Sequence, residues 1–448
     1  MSKIMTMRGF LTTCIGVTCA TVLAFPLPTL SATAAPARPS EAGVPGSTHS
    51  LPLAPLSRAR VLGTAPEQGL YRPGGEHFSL VGIVWDDPHA EVHGQVRVRT
   101  RSARTGSWSG WQDVETHNAD QGADPASAPR DARRLRGATA PLWVGESAGV
   151  DVRVHSDGTG TRNSGTGRPR PPLPSGLRLQ LVDPGKEAPH GSTPDDPSRT
   201  APRTDATSAA SAADTDIARF GALDIPELGK RATERELVRL KGPVTEPYIG
   251  PRPRIVTRRG WGADESLREP GFAYTKKIKA VFVHHTASGD TYTCAQAPSV
   301  IRSIYRYHVE SMGWRDIGYN FLVDKCGTLY EGRAGGAAKA VLGAHTPGFN
   351  GDTMGIAVIG TYGATKPPRA AVTAVARLAA WKLGLYDADP RGSTYLTSGG
   401  GNLYPRGKKV RLNVISGHRD GFATECPGKS LYARLGTARS GAARYQGR

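Results

Sequence analysis

Acidic residues are in short supply. Asp and Glu total 39 against 57 Lys and Arg, a formal charge of +18 over 448 residues with His neutral. A chain this basic is drawn to polyanions, which in a bacterial envelope are teichoic acids and the carboxylates of wall peptides. No recognisable nucleic-acid motif accompanies the charge, so no nucleic-acid partner is expected. Long apolar runs are scarce too. The run Gly9–Phe25 follows Lys3 and Arg8, is short for a bilayer span and gives way to Pro26 and Pro28. Backed by Ser31-Ala-Thr-Ala34, it reads as a secretory signal peptide over residues 1–35. No second run of spanning length follows. The expectation is a soluble exported protein, secreted or wall-associated, with no transmembrane anchor.

Cysteine is sparse and, beyond the leader, odd in number. Cys14 and Cys19 fall in the signal peptide, leaving Cys294, Cys326 and Cys426. Outside the cell an odd count keeps one thiol out of disulfides. The simplest solution joins Cys294 to Cys326 and gives Cys426 to a metal, although the sequence also permits the other two pairings. A His-Glu-x-x-His pair is missing, so no protease-style glutamate base is evident.

The length exceeds what one core organises, which implies two domains with linkers. Residues 36–58, rich in Pro, Ala and Ser, read as a flexible lead-in. Over 59–185 the pattern turns to period two. Val96, Val98 and Thr100 alternate with Arg97, Arg99 and Arg101; Val150, Val152 and Val154 alternate with Asp151, Arg153 and His155. That predicts an all-β domain, an antiparallel sandwich or barrel, whose doubly apolar segment His77–Trp85 is a central strand. Residues 116–137 and 157–175 read as long loops. The Arg97/Arg99/Arg101 row, with Trp85, Trp108, Trp111 and Trp143, suits either a grip on an anionic wall polymer or a solvated sheet face. Alternation alone already accounts for the arginines.

Residues 186–250, dense in Pro, Ser, Thr, Ala and Asp, read as a linker that lets the domains move independently. A short helix over 233–241 is expected within it, because Thr233 and Glu236 have capping-box spacing. From 251 to 448 strands and helices interleave. Lys279–His285 is a strand, Pro298–Met312 an amphipathic helix, Gly355–Gly360 a buried strand, and 387–408 an inserted loop. The class expected is α/β, a mixed central sheet flanked by helices.

Two imidazoles and a thiolate from separated segments, His284 or His285 with His418 and Cys426, form a zinc-type ligand set. Three protein ligands leave the fourth tetrahedral position to water, as in catalytic rather than structural zinc. Both faces of the His284–His285 strand are apolar, so periodicity does not decide which imidazole meets the metal.

Six segments occur in an order that resembles a known family: Arg259-Gly-Trp-Gly-Ala263, Val283-His-His-Thr-Ala287, Gly313-Trp-Arg-Asp-Ile-Gly-Tyr-Asn-Phe-Leu-Val323, Leu329-Tyr-Glu-Gly-Arg333, Gly343-Ala-His-Thr-Pro-Gly-Phe-Asn350 and Gly417-His-Arg-Asp420. They are similar to the peptidoglycan recognition proteins and the bacteriophage-type zinc N-acetylmuramoyl-L-alanine amidases, over about residues 251–440 only. The resemblance implies that His284, His418 and Cys426 hold Zn2+ and that His285 is a structural neighbour. It implies that Tyr319 lies beside the reacting water and that Thr424 stands where active members carry lysine or threonine. It also implies a muramyl-peptide groove lined by His345 and Asn350, with Arg333 and His308. The activity implied is hydrolysis of the amide between N-acetylmuramic acid and L-alanine. The alternative is a non-catalytic peptidoglycan-binding wall protein with a structural zinc.

Overall fold

The computed structural model describes residues 46–56, 67–116, 122, 131–156, 172–186 and 204–448. The expected signal peptide, and most of the expected loops 116–137 and 157–175, lie outside the described residues.

Period-two alternation becomes one nine-stranded sheet folded on itself. Its strands are β1 (Ser47–Pro52), β2 (Ala54–Pro55), β3 (Glu67–Arg72), β4 (Phe78–Trp85), β5 (Gly94–Ser102), β6 (Gln112–Val114), β7 (Gly137–Ala138), β8 (Leu142–Ser156) and β9 (Arg178–Asp183). β8 is long enough to pair with β4 near its start and with β3 and β5 further on. β4 is buried at every position because both of its faces are covered. Val81, Ile83 and Trp85 meet Val96, Val98, Val152 and Val154 inside the folded sheet. Leu80 and Val84 turn the other way, toward Ile301, Ile304 and Tyr307.

The lead-in expectation is corrected here. β1 pairs with β9 along its whole length, Ser47 opposite Asp183 through Pro52 opposite Arg178, so residues 47–52 belong to the sheet. Composition missed this because cross-strand pairing, not the segment's own apolarity, holds it in place.

The linker expectation is corrected for 204–250. α1 (Asp205–Ala213), β10 (Asp224–Ile225) and α2 (Lys230–Lys241) lie there. Ile225, Leu237 and Ile249 enter a large core with Val375, Leu378 and Trp381. Asp214 accepts from the Ala337 amide at 2.7 Å, and Glu236 forms a buried ion pair with Arg252. α2 starts after Gly229, so Thr233 is inside the helix and no capping box forms. Its hydroxyl lies 3.1 Å from the Gly229 carbonyl and accepts from the Arg252 amide at 2.9 Å.

The remaining elements are β11 (Ile255–Val256), α3 (Arg258–Trp261), β12 (Ala280–His285), α4 (Ala297–Arg306), β13 (Phe321–Val323), β14 (Leu329–Glu331), β15 (Thr353–Val358), α5 (Arg369–Gly384), β16 (Ser393–Thr397), β17 (Lys409–Asn413), β18 (Ile415–Gly417), α6 (Lys429–Tyr432) and α7 (Leu435–Gln446). Seven strands form a mixed sheet in the order β10-β11-β14-β13-β15-β12-β18. Residues of α5 and α7 cover one face and residues of α4 the other. The expected loop 387–408 contains β16, which pairs with β17 as a hairpin. Cys294 and Cys326 are joined by a disulfide.

Independent motion of the two sheets is also corrected. The Tyr307 hydroxyl lies 3.2 Å from the Ile83 carbonyl and 3.1 Å from that of Thr139. Arg302 donates to the Pro184 carbonyl at 3.1 Å, and the Trp143 amide donates to the Ser288 carbonyl at 3.0 Å. Leu80, Val84, Trp143 and Val182 of the first sheet share an apolar core with α4.

Candidate metal centre

β12 runs between β15 and β18, parallel to both, with His284 opposite Ala357 and Val283 opposite Gly417. Parallel strands put the ends of several elements at one edge, and His284 reaches that edge beside His418, which directly follows β18. Cys426 arrives on the loop before α6. There Gly428 adopts φ +84°, and a Cβ would fall 2.4 Å from the Tyr362 backbone, so only glycine fits. The ligand atoms of His284, His418 and Cys426 lie within 4.8 Å of one another, and all three residues are buried. The His284 and His418 rings are 4.4 Å apart by centroid.

The two nitrogens of His284 face different partners. Nδ1 lies 3.7 Å from Cys426 Sγ, whereas Nε2 lies 3.2 Å from His345 Nδ1. A metal held at the Cys426 sulfur would meet Nδ1, and the proton would then stand on Nε2, toward His345. A histidine ligand fixed through its second nitrogen is the usual outer-shell arrangement of metal sites. Burial, reinforced by the neighbouring imidazoles, holds the His284 pKa well below the ordinary value, so the ring is a neutral lone-pair donor. Two imidazoles, that of His284 neutral, and a buried thiol fit a thiophilic, borderline-soft divalent ion such as Zn2+.

His285 turns away from the cluster. Its Nδ1 accepts from the Tyr362 amide at 3.2 Å, and burial pushes its pKa down to about 4. Tyr319 is buried with its ring 5.6 Å from that of His284. The Thr424 hydroxyl oxygen accepts from the Cys426 amide at 3.0 Å, which orients the segment carrying the thiol.

The four residues expected to line a groove are buried, and their polar atoms meet protein partners. His345 lies between His284, Thr346 at 3.0 Å and Thr353 at 3.4 Å. Its ring fits because position 355 is glycine: a Cβ there would sit 2.5 Å from the imidazole. Asn350 accepts from the amides of His345 and Thr346 at 2.7 and 2.9 Å and donates to the Gly122 carbonyl at 3.0 Å. His308 accepts from the Gly318 amide at 3.2 Å, and burial pushes its pKa down to about 3. Arg333 donates to the carbonyls of Ile317 at 2.9 Å and Leu342 at 3.2 Å, with its pKa lowered to about 10 by burial.

Sequence reasoning missed a buried charge network at β14 of the same sheet. Arg258 is fully buried, paired with Glu265 at 2.7 Å and Asp316 at 3.1 Å. The Trp261 indole donates to the Glu331 carbonyl at 2.7 Å. Arg258, one residue before the Arg259-Gly-Trp motif, and Trp261 within it thus clamp the β14 end of the sheet, and the acids that complete the clamp are too scattered in sequence to form a pattern.

A family model described as N-acetylmuramoyl-L-alanine amidase matches residues 274–429, the span that carries the cluster. Residues 36–198 match one described as Rv3811 N-terminal galactose-binding domain-like. The chain thus pairs a galactose-binding-like sheet domain with an amidase-class domain. It is 32% identical over 183 residues to peptidoglycan-recognition protein SC2 of Drosophila simulans, covering 41% of this chain and 85% of that one. It is 33% identical over 198 residues to human N-acetylmuramoyl-L-alanine amidase, covering 43% of this chain and 29% of the human protein. The solved structure of Drosophila PGRP-LB wild-type shares 26% identity, covers 41% of this chain and 93% of its own, and has a TM-score of 0.32. The chain belongs to the peptidoglycan recognition protein and N-acetylmuramoyl-L-alanine amidase family.

Proposed function

We propose that the protein is a secreted, zinc-dependent N-acetylmuramoyl-L-alanine amidase that cleaves the lactyl–L-alanine amide of peptidoglycan. The observation that carries this reading is the convergence of His284, His418 and Cys426 inside the span matched by the amidase family. Three ligands rather than four is the count of a catalytic site. Zinc, when bound, supplies a Lewis acid and an activated water at neutral pH.

The chain's own residues do the rest. His345 holds the Nε2 side of His284 and so fixes which nitrogen serves the metal. Tyr319, beside His284, carries a phenol to donate to the scissile carbonyl oxygen as it gains charge. Thr424, whose oxygen accepts from the Cys426 amide, offers its hydroxyl as a second donor to the same oxygen. Losing one such donor typically costs about 3–4 kcal/mol of transition-state stabilisation. The segment from His345 to Asn350, with His308 and Arg333, shapes the wall against which the muramyl peptide lies. An extracellular location follows from the leader expected over residues 1–35, and no described helix is long and apolar enough to cross a membrane.

A second reading is a peptidoglycan-binding protein whose zinc is structural. The burial of all three ligand residues and of Tyr319 favours it. Metal analysis joined to turnover separates the two. The amidase reading expects about one zinc per chain, loss of wall hydrolysis with a chelator and recovery with zinc. Bound zinc with no hydrolysis of purified wall supports the second reading, and no zinc at all refutes both.

A further inference from the structure

The arginine row and two of the four tryptophans have no part in the metal centre. On β5, Val96 and Val98 point into the folded sheet, so Arg97 and Arg99 point out. In register beside them on β8 stand Arg153, opposite Arg97, and Asp151, opposite Arg99. On β3, Tyr71 stands opposite Asp151. Trp111, just before β6, lies over this row: its ring centre is 4.9 Å from the Arg99 guanidinium, 4.9 Å from Arg153 and 5.6 Å from Arg97. Trp108 is 5.2 Å from Arg99 and stacks on Tyr71 at 5.8 Å with planes 20° apart. Trp85 and Trp143 are buried in the cores. Arg101 is committed to the carbonyls of Gly106 and Pro73.

What results is a band of rings and guanidinium groups across four neighbouring strands, β3, β8, β5 and β6, roughly 15 Å wide at the usual strand spacing. It is positively charged. Three guanidinium groups face two acids: Asp151 is buried, pairs with Arg99 at 2.8 Å and lies 4.0 Å from Arg153, and the exposed Asp113 lies 3.7 Å from Arg97. The side chains of Arg97 and Arg153 remain 45% and 51% exposed, and Tyr71 is 59% exposed. Tyr71 is exposed and Trp108 and Trp111 are half-buried beside it, and aromatic faces at a surface receive flat apolar groups such as sugar rings. Guanidinium groups already lined up by cation–π contact offer fixed forks to carboxylate or phosphate. A band wider than a single sugar ring suits a polymer.

We propose that this face binds an anionic polysaccharide, with sugar rings on Tyr71, Trp108 and Trp111 and acid groups against Arg97 and Arg153. The proposal rests on the sheet alone and stands whether or not the metal centre hydrolyses peptidoglycan.

The test uses the full chain and a defined probe, polygalacturonate, with neutral pullulan and a single-stranded oligonucleotide of similar length as comparisons. Affinity electrophoresis at low salt should show retardation by polygalacturonate and none by pullulan, with binding falling as salt rises. Trp111→Ala, and separately Arg97→Ala with Arg153→Ala, should weaken binding at least tenfold, while Trp111→Phe retains most of it. Arg99 is kept because it neutralises buried Asp151. Tyr71→Ala, at an exposed position, should weaken binding several-fold with an unchanged unfolding midpoint, which separates loss of binding from loss of fold. Variants that bind polygalacturonate as well as wild type overturn the proposal. So does tighter binding of the oligonucleotide, which would make the band a nucleic-acid surface.

Discussion

Replacing Tyr307 tests whether the two sheets are one folded body. The residue belongs to the turn after α4, and its ring fits against position 82 of β4 because that position is glycine. A Cβ on Gly82 would fall 2.4 Å from the phenol oxygen. The hydroxyl is shared between the carbonyls of Ile83 and Thr139. Tyr307→Phe removes only the polar contact and should cost about 1–3 kcal/mol, since the carbonyls it serves are buried. Tyr307→Ala empties the ring site and should cost about 3–5 kcal/mol. Gly82→Ala drives a methyl into the ring and should cost about 1–3 kcal/mol. In the double variant Gly82→Ala with Tyr307→Ala the methyl enters the space left by the ring. The two losses should then fall short of additivity by about 0.5–3 kcal/mol, the coupling expected of residues in contact. Calorimetry reads both points. Wild type should unfold in one transition that includes both sheets, and the cycle should be non-additive. Two separate wild-type transitions, with Tyr307→Ala moving only the one belonging to the α/β region, would refute a shared core.

Other perturbations probe the buried charges and the cysteines of the α/β region. Arg258→Met leaves Glu265 and Asp316 buried without the guanidinium between them, and should cost about 3–5 kcal/mol in chemical denaturation; a loss below 1 kcal/mol would contradict the role given to Arg258. Burial pushes Lys382 down to about 7, against the pull of Asp214 and Glu331, while its unfolded value is about 10.4. Between those values the unfolded chain binds a proton that the folded chain lets go, so the contribution of Lys382 to stability rises with pH through that window. The stability of wild type relative to Lys382→Met should climb between pH 7 and 9.5, by at most about 1.4 kcal/mol per pH unit; parallel pH profiles would refute it. For the chain without residues 1–35, denatured after removal of zinc, thiol titration should count one reactive thiol, that of Cys426, because Cys294 and Cys326 are joined. Two or more would contradict that pairing.

Legibility followed the range of the interactions. β4 could be read as a central strand because both of its faces are apolar within eight residues. The convergence of His284, His418 and Cys426 was legible because an odd cysteine beyond the leader stands out beside two histidines. The choice of His284 over His285 could not come from periodicity, since the strand is buried on both sides; it came from the family resemblance, and the structure adds that Cys426 lies near His284 Nδ1 while His285 binds the Tyr362 amide. The helix at 205–213 was hidden by a Pro- and Ser-rich context, whereas the one at 230–241 was expected over 233–241, on a capping-box spacing that the fold does not use. Buried Leu237 and the Glu236–Arg252 ion pair anchor the helix at 230–241, and that pairing is not visible in composition. The contact of Tyr307 with Gly82 joins positions 225 apart and leaves no local trace.

The most direct test of the central claim is mass spectrometry of the soluble products released from purified peptidoglycan by the zinc-loaded protein, beside the Cys426→Ala variant. The account predicts stem peptides with a newly freed L-alanine amino terminus from the wild type and none from the variant. Release of those peptides by Cys426→Ala, cleavage at any other bond, or no release by the wild type would contradict it.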